Sequence, residues 1–151
     1  MKKLLAAMAV TFTAACGVQP SGVIRGAEAP TEKLDGPVLF FLNGKTLTRV
    51  TRPAEGVPGG DNLDLLGKGL TDLERFDGLK TQIPVAAAPI TMKPKGDQAV
   101  VTISSPVADL SALAKDQITC TAVPPWQRRQ FQVVITGTDR SVQTRPCPFP
   151  G

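Results

Sequence analysis

The chain has 151 residues, of which 42% are hydrophobic and 20% charged, and it contains neither His nor Tyr. This length suits one folded domain, and a formal net charge of +4 is too small for a wholly disordered chain. Without His, the Ser-His and Cys-His nucleophilic machineries are excluded and the usual zinc ligand is missing. Hydrolase and metal-centre interpretations therefore lose most of their support.

The first 15 residues have the pattern of an export signal. Two lysines precede residues 4–15, a stretch of twelve residues without charge that ends in small side chains before Cys16. Twelve helical residues rise only about 18 Å, too little to cross a hydrocarbon core of about 30 Å. The ending Thr-Ala-Ala-Cys resembles a bacterial lipobox with cleavage between Ala15 and Cys16, although Thr13 stands where Leu is usual.

We expect Cys16 to carry a covalent diacylglyceryl group, with its N-acylation left open, and we expect no other cofactor. The lipid would hold the protein at the outer face of the cytoplasmic membrane. An ordinary cleaved secretory signal and an uncleaved buried helix are the alternatives. Removal of residues 1–15 lowers the formal charge of the chain to +2, because two lysines leave with the signal. Nucleic acid is therefore not expected as a partner.

The cysteine count fits this interpretation. If Cys16 carries lipid, Cys120 and Cys147 remain in a compartment where disulfides persist, and we predict that they pair. Closing a loop of 27 positions would stabilise the fold by roughly 3.5 kcal/mol on a chain-entropy estimate. A redox-active dithiol is disfavoured because the chain has no Cys-x-x-Cys spacing.

Residues 16–36 are predicted to be the lipidated cysteine and a flexible tether, since they contain Pro, Gly, Ser and alternating charges without an apolar period. The folded domain is placed at residues 37–151. It begins with two β-rich runs around Asn43-Gly44, which predicts a hairpin with a type I′ turn. In the second run Leu47 is expected to share a face with Arg49.

Four leucines at helical spacing predict one apolar helix face, which Gly67 and Gly69 divide into two short helices: Leu63, Leu66, Leu70 and Leu73. Thr71 and Glu74 form a predicted capping box, and the second helix should stop near Gly78. Asp72, Glu74 and Asp77 could be mistaken for paired catalytic carboxylates. We interpret them as helix-capping and solvated residues.

Further elements follow in chain order. Short strands are predicted at residues 83–87, 90–93 and 99–103. A helix should begin with Asp109 as its cap and run through residues 110–118, where apolar residues recur at three- and four-residue intervals. Strands at residues 131–135 and about 141–145 complete the domain, and the disulfide would tie the Pro-rich end to the second helix.

Trp126, Arg128 and Arg129 are the candidate ligand-binding residues. They could contact an anionic sugar or peptide, but packing of Trp126 against the core is the other interpretation. The basic clusters Lys93-Pro94-Lys95 and Arg128-Arg129 are interpreted as solvated turns or strand ends, with contact to anionic lipid or wall polymer as the alternative. No catalytic residue and no metal ligand is predicted.

Several short motifs resemble the pattern of GerMN-type domains. They span about residues 62–142 and comprise Leu65-Leu66-Gly67-Lys68-Gly69, Thr71-Asp72-Leu73-Glu74-Arg75, Gly78-Leu79-Lys80-Thr81, Ile83-Pro84, Leu113-Ala114, Gln117-Ile118 and Thr121. Leu70 stands where Pro is common in that family, and Cys120 where an aromatic residue is frequent. With the lipobox and tether, the chain resembles small actinobacterial lipoproteins.

The resemblance implies an α+β fold in which two helices pack on one face of a mostly antiparallel sheet. Members of the family occur in envelope and spore-related proteins, and no catalytic residues are carried over. The leading hypothesis is a non-enzymatic, lipid-anchored envelope protein whose domain binds an envelope protein or a cell-wall component. The alternative is a small-ligand-binding or enzymatic domain that acts on a cell-wall sugar or peptide.

Overall fold

Two β-sheets and three helices make up the part of the chain that the computed structural model describes, residues 36–53, 62–123 and 132–149. The first sheet consists of a central β1 (Val38–Asn43) between β2 (Thr46–Thr51) and β3 (Leu79–Lys80). The second has, in spatial order, β4 (Thr91–Lys95), β5 (Gln98–Thr102), β6 (Gln132–Thr136) and β7 (Ser141–Gln143). The helices are α1 (Asn62–Gly67), α2 (Asp72–Phe76) and α3 (Ala112–Ala122).

The fold class is α+β, as predicted, and the strands are mostly antiparallel. Only β5 and β6 pair in parallel within the described sheets, and α3 lies in the connection between them, as a parallel pair requires a long crossover. The strands divide into two sheets, and the two predicted short helices together with α3 make three helices in the described residues. All described residues belong to one unit, Lys33–Gly151.

The predicted signal peptide and nearly all of the predicted tether, residues 1–35, lie outside the described residues. Within the described ranges, no helix is long and apolar enough to cross a membrane.

The predicted hairpin is present, but its turn is displaced by one residue. Asn43 pairs with Thr46, so the central turn residues are Gly44 and Lys45. Gly44 has a φ of +62°, whereas the φ of Lys45 is not positive. This pattern suits a type II′ turn, which needs a positive φ only at its first central residue, so the predicted type I′ turn is wrong.

The central strand β1 is buried on both faces. Leu39 and Phe41 point into the main apolar core, where they meet residues of the second sheet and of α1 and α3. Phe40, with the opposite orientation, packs in a smaller cluster with Cys120 and Cys147. The alternation of side chains along a strand therefore divides one apolar run between two cores.

Helices α1 and α2 form on either side of the predicted glycine break. Thr71 caps α2, because its hydroxyl accepts a hydrogen bond from the Glu74 N–H at 3.3 Å and the Glu74 carboxylate accepts one from the Thr71 N–H at 2.7 Å. This capping box is as predicted. The single apolar face is not continuous: Leu63 and Leu66 are buried, whereas Leu73 is 70% exposed.

Helix α3 begins at a different cap from the one predicted. Ser111 accepts a hydrogen bond from the Ala114 N–H at 3.1 Å, while Asp109 ends a 3₁₀ turn, Val107–Asp109. Three rows of α3 residues at a spacing of four face three neighbours. The rows contact the main core, β1 and the C-terminal segment (residues 144–149), respectively: Ala114, Ile118 and Ala122; Gln117 and Thr121; Asp116 and Cys120.

The remaining strands are close to their predicted positions, with one exception. Residues 83–87 do not form a strand, because Pro84 has no N–H for a ladder and Val85–Ala87 forms a 3₁₀ turn instead. The N–H of Ala87 donates to the carbonyl oxygen of Pro84 at 2.9 Å and closes this turn.

The connection between β6 and β7 packs closely against residues 105–108. A Cβ atom on Gly137 would lie 2.4 Å from the carbonyl oxygen of Ser105, so a side chain there would displace backbone. Asp139 accepts hydrogen bonds from the N–H groups of Val107 at 2.6 Å and Ala108 at 3.3 Å. Loss of water around the carboxylate raises the pKa of Asp139, but these backbone donors hold it below its ordinary value.

Candidate functional site

A disulfide joins two of the segments that line the candidate site, α3 and the C-terminal segment. Cys120 in α3 and Cys147 in the C-terminal segment are bonded, with a sulfur–sulfur distance of 1.96 Å and Cα atoms 4.9 Å apart. They are the pair that the cysteine count predicts. The bond fixes the C-terminal segment against α3. Both cysteines are buried and pack in one cluster with Phe40.

Hydrogen bonds hold the same segment on either side of the disulfide. Thr144 donates from both its backbone N–H, at 2.9 Å, and its hydroxyl, at 3.1 Å, to the carbonyl oxygen of Val133 in β6. The Thr119 hydroxyl in α3 donates to the Thr144 hydroxyl at 2.9 Å. On the other side, the ring of Phe149 meets that of Phe40 edge-on, with centroids 5.0 Å apart.

Asp116 and Arg145 form an ion pair between a buried carboxylate and an exposed guanidinium. The Asp116 side chain is only 4% exposed, whereas that of Arg145 is 64% exposed. Arg145 donates from Nε to Asp116 Oδ1 at 2.8 Å and from Nη2 to Asp116 Oδ2. These hydrogen bonds and the nearby negative charge raise the pKa of Arg145. The guanidinium therefore neutralises a buried carboxylate while it presents its other side to solvent.

A cleft of about 330 Å³ lies next to this pair. It is lined by the hairpin turn and the start of β2, by the first half of α3 and by the C-terminal segment: Lys45, Thr46, Leu47, Leu113, Asp116, Arg145, Pro148 and Phe149. Its volume is at the small end of the range for ligand pockets. The lining combines apolar side chains with two cationic groups, one carboxylate and a hydroxyl, and ligand pockets in proteins likewise combine apolar walls with a few polar groups.

A second polar network, on the far side of the hairpin, has a structural role. Arg52 donates from Nε and Nη2 to the two carboxylate oxygens of Glu74, at 2.9 and 2.7 Å, and from Nη2 to the carbonyl oxygen of Gly69 at 2.7 Å. The side chains are 12% and 9% exposed. The Arg52 guanidinium also lies 5.6 Å from the ring centroid of Phe41. The pair attaches the α1–α2 segment to β2.

The acidic residues of α2 differ in their partners, in agreement with the capping interpretation. Burial raises the pKa of Glu74, but hydrogen bonds from Arg52 and Thr71 and the charge of Arg52 hold it below its ordinary value. Asp72 is on the surface, where it pairs with Arg75 at 2.7 Å. In the described ranges, no group of three His, Cys, Asp or Glu residues is placed to hold a metal ion.

The structure does not describe most of the residues that the sequence predicted to carry function. Ala15 and Cys16, the predicted cleavage and lipidation site, are outside the described residues, and so are Trp126, Arg128 and Arg129. Lys93 and Lys95, in the other basic cluster, are exposed on β4, which both interpretations of this cluster allow.

Lys45, Asp116 and Arg145 were not predicted as site residues, although one signal in the sequence points to two of them. Asp116 precedes Cys120 by one helical turn, and Arg145 precedes Cys147 by two residues. A disulfide between the two cysteines therefore brings the opposite charges of Asp116 and Arg145 together. Lys45 gives no comparable signal, because only the packing of the hairpin on α3 places it at the cleft.

Comparison of the chain with protein families, curated proteins and solved structures finds no match.

Proposed function

We propose that the protein is a non-enzymatic lipoprotein, anchored through Cys16 at the outer face of the cytoplasmic membrane. Its folded part is a GerMN-like domain that binds an envelope protein or a cell-wall component. The observation that carries this proposal is the bond between Cys120 and Cys147. It uses two of the three cysteines in the chain and leaves Cys16, at the end of the export-like segment, for the lipid.

Two physical arguments support the anchored location. Disulfides persist in oxidising compartments and are rare in the cytosol, so a buried disulfide favours an exported domain. A diacylglyceryl group adds about 0.8 kcal/mol of membrane affinity per buried CH₂, and two acyl chains give stable anchoring without a transmembrane helix.

The anchor is tested by fractionation of cells that express the full chain. Cys16→Ala should move the protein from the membrane fraction to the soluble fraction and abolish incorporation of labelled fatty acid. The double variant Cys120→Ala/Cys147→Ala is the control, since it removes the other two cysteines of the chain without leaving a free thiol and should leave the protein in the membrane fraction. The lipid-anchor proposal fails if Cys16→Ala still sediments with membranes and resists carbonate washing.

The binding role is tested separately. Cross-linking in living cells, followed by mass spectrometry of the purified full chain, should recover one envelope protein or wall fragment with the wild type. Recovery should be lost when the same cells express the soluble Cys16→Ala variant, because that variant is no longer held near its partner. A small-ligand enzyme, the alternative, would instead convert added muropeptides, and such turnover would contradict the non-enzymatic proposal.

A further inference from the structure

The cleft beside the disulfide has an uncompensated positive charge. Arg145 and Asp116 neutralise each other, and both Asp116 oxygens accept hydrogen bonds from the guanidinium. The Lys45 side chain is on the exposed hairpin turn, and no carboxylate in the described parts of the chain pairs with it. A ligand that carries one negative charge would therefore complement the cleft.

The other walls of the cleft are apolar. Leu47 belongs to the cluster around Phe40, and Leu113, Pro148 and Phe149 complete the lining. The volume of about 330 Å³ is at the small end of the range for ligand pockets. This is room for a group of the size of one or two amino-acid residues, and the apolar walls favour an aliphatic or aromatic side chain.

We propose that this cleft binds a small ligand in which a carboxylate lies beside an apolar group. The carboxylate contacts Lys45 and the exposed side of Arg145, whose Nη1 is not used by Asp116, and the apolar group lies between Leu47 and Phe149. The Thr46 hydroxyl, also in the lining, offers the ligand a further hydrogen bond. Such a carboxylate occurs at the C-terminus of a peptide and in free branched-chain or aromatic acids.

The disulfide makes the cleft rigid before the ligand arrives. Cys120 and Cys147 fix α3 to the C-terminal segment, and these two elements contribute Leu113 and Arg145 to two of the walls. The two walls therefore lose little conformational freedom on binding, which lowers the entropic cost of association. The inference deepens the binding role proposed above, and it depends on that proposal only for the natural source of the ligand.

The experiment is a titration of the purified full chain, with its disulfide intact, followed by nuclear magnetic resonance. N-acetyl-L-leucine is the first probe and N-acetyl-L-leucinamide its matched control, because the two differ only in the carboxylate. We expect saturable shifts with a Kd on the order of 1 mM for the acid and binding about tenfold weaker for the amide. 4-Methylpentanoate has the same side chain and carboxylate without the peptide group, and it distinguishes a free acid from a peptide C-terminus as the natural ligand. If it binds as tightly as N-acetyl-L-leucine, the cleft recognises free acids. If it binds more weakly, the cleft recognises a peptide C-terminus.

Matched variants locate the site. Lys45→Ala should weaken binding of the acid about tenfold, whereas Lys93→Ala, which removes an exposed cation from β4, should leave the affinity unchanged. Arg145→Ala would leave Asp116 buried without a partner, so Arg145→Lys is used instead, and it should weaken binding while the chain remains folded by circular dichroism.

Three results would overturn the inference: no saturable shift with the acid, equal affinity for the acid and the amide, or equal effects of Lys45→Ala and Lys93→Ala. Each of them would leave the membrane fractionation of Cys16→Ala unaffected. Failure of the cleft is therefore distinguishable from failure of the anchor.

Discussion

Gln117 in α3 holds the main chain of Phe40 in β1: its Nε2 donates to the Phe40 carbonyl oxygen at 3.1 Å. One helical turn later, the Thr121 hydroxyl accepts a hydrogen bond from the Phe40 N–H, also at 3.1 Å. β3 pairs only with Leu42 and Asn43 of β1. The helix side chains therefore take the place of a neighbouring strand at Phe40 and satisfy both of its backbone groups.

Gln117→Leu should lower the free energy of unfolding by about 3 kcal/mol, because a buried carbonyl and the N–H of Gln82, which donates to Gln117 Oε1 at 2.9 Å, would lose their partner. Urea unfolding followed by circular dichroism measures the change. Gln143→Leu is the control, since that glutamine is exposed on β7 and its loss should cost less than about 0.5 kcal/mol. Equal costs would show that the Gln117 bonds do not stabilise the fold.

Acid should destabilise the protein through Glu74. Its pKa in the folded state is below its ordinary value of 4.5, so its stabilising contribution is present above that pH and is lost as the pH falls through the folded-state pKa. Glu74→Gln should be less stable at pH 7 and should lose less stability than the wild type below pH 4.5. Thermal unfolding across this range measures both effects, and parallel pH profiles would contradict the assignment.

The two apolar side chains on the outer side of α2 should contribute little to stability. Leu73 is 70% and Phe76 88% exposed, whereas Leu66 in α1 is 1% exposed. Leu73→Ser and Phe76→Ser should each change the free energy of unfolding by less than about 0.5 kcal/mol, but Leu66→Ala should cost about 3 kcal/mol. Chemical denaturation of the three variants distinguishes them. A large loss of unfolding free energy in Leu73→Ser would instead support the single apolar face predicted from the leucine spacing.

Removal of the disulfide should destabilise the domain by roughly 3.5 kcal/mol, since the bond closes a loop with a sequence separation of 27 residues. The double variant Cys120→Ala/Cys147→Ala tests this by urea unfolding. Cys16→Ala, the control, should leave the unfolding free energy unchanged. The intact mass of the unreduced wild type should be about 2 Da below that of the dithiol form, and free thiols at both positions would contradict the bond.

Local signals in the sequence predicted the elements that depend on neighbouring residues. The hairpin around Gly44, the break at Gly67 and the cap at Thr71 each need only a few adjacent side chains, and all three are present. One error concerns the choice between two neighbouring residues. Ser111 and Asp109 are both good caps, and which one starts α3 depends on packing that the sequence alone does not reveal.

Features that depend on residues far apart in the chain could not be predicted from the sequence. The division into two sheets depends on which strands pair, and the parallel pairing of β5 with β6 joins residues more than 30 positions apart. Leu73 is exposed because helical spacing does not continue from α1 to α2, which are separated by residues 68–71 with Gly69 at a φ of +82°. Three segments that are far apart in the sequence line the cleft, and the predicted disulfide joins only two of them.

The position of β6 makes the second sheet depend on residues near the end of the chain. β6 lies between β5 and β7 and follows α3 in the chain, so residues up to 131 leave β5 with an unpaired edge and the Cys120 thiol without its partner. A chain that crosses a membrane from its N-terminus would remain incompletely folded until its last twenty residues emerge. If the chain is exported as proposed, its second sheet and its disulfide would therefore be completed on the far side of the membrane.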